Sequence, residues 1–155
     1  MINIIVAHDK NHVIGINNKM PWIIKKDLEH FKNLTLNHTV IMGKNTYLSI
    51  GHPLDKRENI IVSSTMKDDN LIITSSLKEA IKLATNDEIF IIGGSRLYKE
   101  ALDIADCLYI TLIDHEYEGD TYFPEYNLDD YQLIEKVDLK ENNLEYHFLK
   151  YQKSE

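Results

Sequence analysis

The chain has 155 residues, with 17 basic and 25 acidic side chains for a net charge of −8 at neutral pH, and 43% of its residues are apolar. That profile fits one soluble globular domain spanning residues 1–155, large enough to bury a core without a metal or disulfide staple. Its acidic sign argues against a nucleic-acid binder, which needs a Lys/Arg surplus to displace counterions from phosphates, but leaves room for a local basic patch that holds a small anion.

Along the chain, short β-branched runs predict strands at INIIVAH from Ile2, TVIMG from Thr39, ENIIVSS from Glu58, NLIIT from Asn70, EIFIIGG from Glu88 and CLYITLID from Cys107. Helix-period segments fall between them at 25–34, 77–84 and 96–104. Several strands are apolar on both faces, which implies a mostly parallel twisted sheet with helices on both faces. The middle helix begins with Ser76 and Glu79 in capping-box spacing, turning Leu77, Ala80, Ile81 and Ala84 inward. Near the end, YQLIEKV and LEYHFLKY are joined by residues 140–143, a spacing that predicts a C-terminal antiparallel hairpin. The stretch from Asp9 to Ile24 holds Gly15, Asn17, Asn18 and Pro21 and is expected to form a long loop, a length often used for lids.

The absences narrow the chemistry. Cys107 is the single cysteine, which excludes an intramolecular disulfide and a cysteine-based metal site and leads to the expectation of a reducing, cytoplasmic setting. The N-terminal MINIIVAHDK resembles no secretory leader, and no run of about 18 apolar residues predicts a membrane span. The seven histidines have no metal-ligand spacing and are read as surface or core-edge residues; no Gly-x-Ser-x-Gly elbow is present either.

Asp27 is the most informative position. Ile24, Leu28 and Phe31 surround it on the helix face expected to meet the sheet. One reading is a partly wet acid favoured by the helix dipole; the other is a site carboxylate whose raised pKa lets it hold a hydrogen-bond-donating heterocycle. Gly93-Gly94 ends an apolar strand and precedes a helix with Ser95 in the N-cap position, an arrangement that serves either a plain turn or close approach of a phosphate. Met42-Gly43-Lys44-Asn45-Thr46 repeats the pattern, and Ser63-Ser64-Thr65 ends the next strand, so the three junctions together point to a dinucleotide groove. Lys25 and Lys26 are most simply a solvated helix face.

In order and spacing, Val13-Ile14-Gly15, Met20-Pro21-Trp22, Asp27-Leu28 with Phe31, Met42 to Thr46, Ser49-Ile50-Gly51, Pro53-Leu54, Arg57, Ser63-Ser64, Ile92 to Tyr98 and Glu118 to Pro124 resemble the dihydrofolate reductases nearly end to end. The resemblance implies an oxidoreductase that uses NADPH to reduce dihydrofolate to tetrahydrofolate, with hydride added at C6 and a proton at N5, and that is a target of antifolate inhibitors. It implies catalytic roles for Asp27, Trp22, Met20 and Thr111. Ile5, Ala7, Asp27, Leu28, Phe31, Ile50, Leu54, Arg57, Ile92 and Thr111 would hold the folate. Ala7, Ile14, Gly15, Gly43, Lys44, Asn45, Thr46, Ser63, Ser64, Ile92, Gly93, Gly94, Ser95, Arg96, Leu97, Tyr98 and Thr121 would hold NADPH, with a cis peptide between the paired glycines. The Met20 loop resembles the family's lid, no metal is implied, and a monomer is expected.

Lys44 departs from a frequent arginine and Ser75 from a lysine that some members carry, so discrimination between NADPH and NADH is expected to be weaker; Asn45 departs from a frequent histidine. Two alternatives remain: a related pterin or pyrimidine reductase, and a non-catalytic NADP-binding domain.

Overall fold

A computed structural model describes residues 1–154. Eight strands form one sheet: β1 (Ile2–Asp9), β3 (Thr39–Gly43), β4 (Glu58–Val62), β5 (Ile72–Thr74), β6 (Ile89–Ile91), β7 (Cys107–Ile113), β9 (Tyr131–Glu141) and β10 (Leu144–Lys153). Two more, β2 (Val13–Gly15) and β8 (Thr121–Tyr122), pair with each other outside it. The order is β5-β4-β3-β6-β1-β7-β10-β9; the pairs from β5 to β7 are parallel and those of β10 with β7 and β9 antiparallel. The expected mixed sheet with a late hairpin is therefore present.

Four helices cover the sheet: α1 (Lys25–Thr35), α2 (Lys44–Ile50), α3 (Leu77–Leu83) and α4 (Ser95–Ala101). Alternation along the strands assigns side chains to opposite faces. Ile4, Val6, Ile41, Ile60 and Ile91 join Leu77 and Ala80 of α3 and Leu97 and Ala101 of α4. Ile5, Val40, Met42, Ile61 and Phe90 meet Phe31 and Leu34 of α1 and Tyr47 and Ile50 of α2. The helices lie on both faces, as the two-sided apolar strands require.

Several local expectations need correction. Helix α2 was absent from the sequence-based helices, because seven residues without a capping side chain carry too little periodicity to announce one. Helix α4 ends at Ala101 rather than 104, and its N-cap is Gly94; Ser95 is already helical and donates its hydroxyl to the Tyr122 carbonyl. The Ser76 cap forms, its oxygen accepting the Glu79 N–H at 3.1 Å, but the Glu79 carboxylate turns to Ser75 instead of closing the box on Ser76. The supposed loop from Asp9 to Ile24 contains β2, whose partner β8 lies more than a hundred residues away in sequence, a pairing that local pattern cannot reveal.

Two histidines are more deeply engaged than a surface or core-edge reading suggests. His8 is buried in β1; its Nδ1 lies 2.8 Å from the Asp9 carbonyl, so this nitrogen carries the proton and donates, and Nε2 accepts from the Tyr126 hydroxyl at 2.9 Å. A neutral ring satisfies both bonds, and burial pushes its pKa down to about 4. His147 on β10 sits between Asp114 at 2.7 Å and Asp138 at 2.6 Å, tying β9 and β10 to the bend just after β7, and the Asp114 hydrogen bond raises its pKa.

These shifts have opposite consequences for stability. Unfolded histidines titrate near about 6.5, so acidification between about 6.5 and about 4 protonates His8 in the unfolded chain first and removes stability. His147 stabilises most fully below about 6.5, and its contribution is lost as pH rises through its raised folded value. Melting temperature is therefore expected to fall on acidification below pH about 6.5, and His147→Gln to flatten the decline on its alkaline side. NMR titration in which His8 protonates near neutral pH would contradict the first expectation.

Candidate active site

Strand β1 lies between β6 and β7, where the parallel order reverses, and crevices beyond the carboxyl ends of such strands take ligands in open α/β sheets. A cavity of about 430 Å³ lies in the fold, walled by Ile5, Ala7, Asp27, Phe31, Ile92 and Thr111 among others. Its walls are largely apolar, which makes the Asp27 carboxylate conspicuous. Asp27 is only 9% exposed. The Thr111 hydroxyl donates to Asp27 Oδ1 at 2.6 Å, and none of the salt bridges among the described residues involves Asp27. Burial raises the Asp27 pKa, opposed by that hydrogen bond. Asp27 is thus buried on the cavity wall rather than partly wet.

The surrounding positions follow from local structure. The first turn of α1 places Asp27 inward, and Thr111 points to it from β7, whose partner β1 brings Ala7 alongside. Leu28, expected to meet the sheet, is 50% exposed because its side of the helix opens into the cavity. His30, one turn beyond Asp27, also lines the cavity and stacks on Phe148 with ring centroids 3.9 Å apart. Its i, i+3 spacing from Asp27 was a usable signal that the sequence reading missed. Val6, Asn18, Lys19 and Ser49 were missed as well; Asn18 and Ser49 meet only through tertiary closure, the Ser49 hydroxyl donating to the Asn18 carbonyl at 2.7 Å.

Across the cavity, Gly93 and Gly94 are joined by a cis peptide and the Gly43 N–H donates to the Gly93 carbonyl at 2.8 Å. Gly93 has φ +132°, and a Cβ there would stand 3.2 Å from Thr46 Oγ1 and 3.4 Å from the Tyr98 hydroxyl. Only glycine suits that backbone, and its bare surface forms part of the cavity wall. Tyr98 is buried, and its hydroxyl donates to the Ile5 carbonyl at 2.8 Å.

The sequence model for dihydrofolate reductase matches residues 1–153. The chain belongs to the dihydrofolate reductase family. It is 40% identical to the dihydrofolate reductase of Bacillus subtilis, over 99% of this chain and 95% of that one. Against the Staphylococcus aureus dihydrofolate reductase it is 36% identical, over 96% and 95% of the two chains. Among solved structures, it superposes on the Enterococcus faecalis dihydrofolate reductase complexed with NADP(H) and RAB-propyl with a TM-score of 0.90. That match covers 100% of this chain and 97% of the other at 28% identity.

Within this family frame, Ile5, Ala7, Asp27, Leu28, Phe31, Ile50, Leu54, Ile92 and Thr111 all line the one cavity. So do Ile14, Gly15, Asn45, Thr46, Gly93, Gly94, Tyr98, Thr121 and Met20. Arg57 stands outside that wall, its Nη1 donating to Thr35 Oγ1 at 3.1 Å and its Nε to the Asp55 carbonyl at 2.9 Å. Gly43, Lys44, Ser63, Ser64, Ser95 and Arg96 also lie outside it; Lys44, Ser64 and Arg96 are solvent-exposed. Leu97 also stands outside that wall, its side chain packed in the core and 6% exposed. Trp22 lines a separate cleft of about 380 Å³ with Tyr117 and His115, and belongs to the apolar cluster against which Ala7 packs.

The lid is held against the β7–β8 loop. The Asp120 N–H donates to the Gly15 carbonyl and the Asn17 N–H to Asp120 Oδ2, each at 3.0 Å, and the latter bond lowers the Asp120 pKa. Gly119 lets the two segments touch, since a Cβ there would fall 2.3 Å from Val13 Cγ1 and 2.9 Å from the Gly15 carbonyl oxygen. Gly119→Ala is expected to destabilise the fold by about 1–3 kcal/mol through overpacking and to raise the KM for NADPH. An unchanged melting curve and KM would contradict this close approach.

Proposed function

We propose that the chain reduces 7,8-dihydrofolate to 5,6,7,8-tetrahydrofolate with Asp27 as the polarising acid of the pterin slot. The observation that carries this reading is a buried carboxylate, braced by Thr111, in a largely apolar cavity at the strand switch point. Such a site needs no protein nucleophile: it needs dryness, orientation and one well-placed charge. The glycine cradle at 93–94 beside Thr46 fits close approach of a planar cofactor ring. NADPH, when bound there, supplies the hydride.

The remaining work falls to the chain itself. Asp27 accepts hydrogen bonds from the amide and amino edge of the pterin, and its negative charge in a low-dielectric pocket favours the protonated ring at N5. The Thr111 hydroxyl fixes which carboxylate oxygen stays free. Leu28, Phe31, Ile50 and Leu54 give the aromatic body of the substrate an apolar slot, and the Met20 lid excludes water. Arg57, oriented by Thr35 and Asp55, retains donors for the glutamate α-carboxylate. Lys44, Ser63, Ser64 and Arg96 are exposed or part-exposed donors suited to cofactor phosphates, with Lys44 supplying charge without the fork of an arginine.

We further infer a single domain across residues 1–155, acting as a cytoplasmic monomer without nucleic-acid or membrane partners. Its formal charge of −8 supports the first exclusion, and no helix among the described residues is long and apolar enough to cross a membrane. Antifolates are expected to compete for the same slot. A pterin reductase acting on tail-less substrates is the second reading, and such a substrate would have no use for Arg57.

NADPH oxidation followed by absorbance, with and without dihydrofolate, tests the activity. Asp27→Asn is expected to lower turnover by about 10²- to 10⁴-fold, the range of a positioned acid or base, with NADPH affinity retained and the defect shrinking at low pH. Equal loss of cofactor binding would contradict the role. Arg57→Lys is expected to raise the dihydrofolate KM about tenfold, one lost charge-assisted contact, with kcat nearly unchanged; a pure kcat defect would exclude the carboxylate grip.

A further inference from the structure

A second buried carboxylate lies two residues beyond Ala7, at the end of β1. Asp9 is 0% exposed. Among the described residues it forms no salt bridge with a cation. Its two oxygens instead take three backbone N–H groups: Oδ1 accepts from Asn11 and from Val13, each at 2.8 Å, and Oδ2 accepts from Tyr117 at 2.7 Å. Asn11 lies in the turn after β1 and Val13 opens β2, the two leading into the lid, and Tyr117 belongs to the loop between β7 and β8. A carboxylate buried without a cation is tolerated only where hydrogen bonds replace its hydration.

Each arm leads to the cavity. Val13 is followed directly by Ile14 and Gly15, which line it. Tyr117 packs its ring 5.2 Å from the Trp22 indole, and both belong to the cluster that meets Ala7, another cavity residue. The Asp120 contacts fasten the same two segments farther out, but on an exposed side chain open to water. Asp9 fastens them at the root.

We propose that Asp9 is a positioning residue for the reductase reaction, its carboxylate setting the entry to the lid and the Tyr117–Trp22 cluster behind Ala7 in one fixed relation. The proposal rests on the activity inferred above, but two of its readouts do not use that activity. In Asp9→Asn one oxygen keeps the Asn11 and Val13 donors while the amide NH2 meets the Tyr117 N–H, donor against donor, so the loop arm is released and the lid arm kept.

The test compares wild-type protein and Asp9→Asn by steady-state kinetics with NADPH, NADPD and dihydrofolate, and by acrylamide quenching of Trp22, the single tryptophan. The expected result is a kcat lower by about ten- to a hundredfold, in keeping with loss of reactant alignment. A larger isotope effect on kcat, a raised NADPH KM and a more readily quenched Trp22 should accompany it. A lower melting temperature with kinetics, isotope effect and quenching unchanged would reduce Asp9 to a structural role and overturn the proposal. If wild-type protein fails to oxidise NADPH with dihydrofolate, the functional reading fails, while the quenching difference still decides whether Asp9 holds Trp22.

Should the variant not fold, amide exchange on the wild-type chain settles the matter. The Val13 and Tyr117 amides should be protected and should change protection together when NADPH is added. Independent responses would overturn the proposal.

Discussion

An uncompensated carboxylate held in an apolar cavity is the constraint on which the site turns. Burial disfavours the charged form of Asp27, and Thr111 supplies only one hydrogen bond against it. The fold therefore keeps a group in a state of unsatisfied demand, and a ligand edge rich in N–H donors can satisfy it. The same burial that weakens the empty fold strengthens the bond to such a ligand, because field lines are not screened by water there.

The sheet makes that state possible. Six mutually parallel strands, covered on both faces by helices, give a stiff frame whose carboxyl edge carries Ala7 and the Gly93-Gly94 pair within one crevice, with the Gly43 N–H bonded to Gly93 beside it. The hairpin of β9 and β10 closes the other side and supplies Phe148, on which His30 rests. Rigidity is confined to this frame. The covering segments are tied on by countable bonds, those of Asp120 and Ser49 at exposed side chains and those of Asp9 in the interior.

Buried polar groups elsewhere are satisfied by different means, and the comparison clarifies Asp27. Asp9 takes three N–H donors, and His8 uses both ring nitrogens in its neutral form. Half-buried Glu58 accepts from Thr39 and twice from Thr85; partial desolvation raises its pKa, but these bonds together hold it below the usual carboxylate value. Asp27 alone of these faces a cavity with capacity left over.

Much of the architecture was legible because it depends on local pattern. The β-branched runs, the Ser76 cap and the 140–143 turn each encode their element within a few residues, and the full-length resemblance ordered the motifs along the chain. The acid at position 27 stood out because its neighbours at helical spacing are apolar. What the sequence could not decide is how distant segments meet: β2 with β8, Ser49 with Asn18, Asp9 with Tyr117, and the turning of Leu97 into the core while Leu28 faces the cavity. These contacts join positions far apart in the chain or depend on which side of a short helix meets the sheet. Hydrophobic period fixes an element and its apolar face, whereas packing and backbone hydrogen bonding in three dimensions decide what that face is set against.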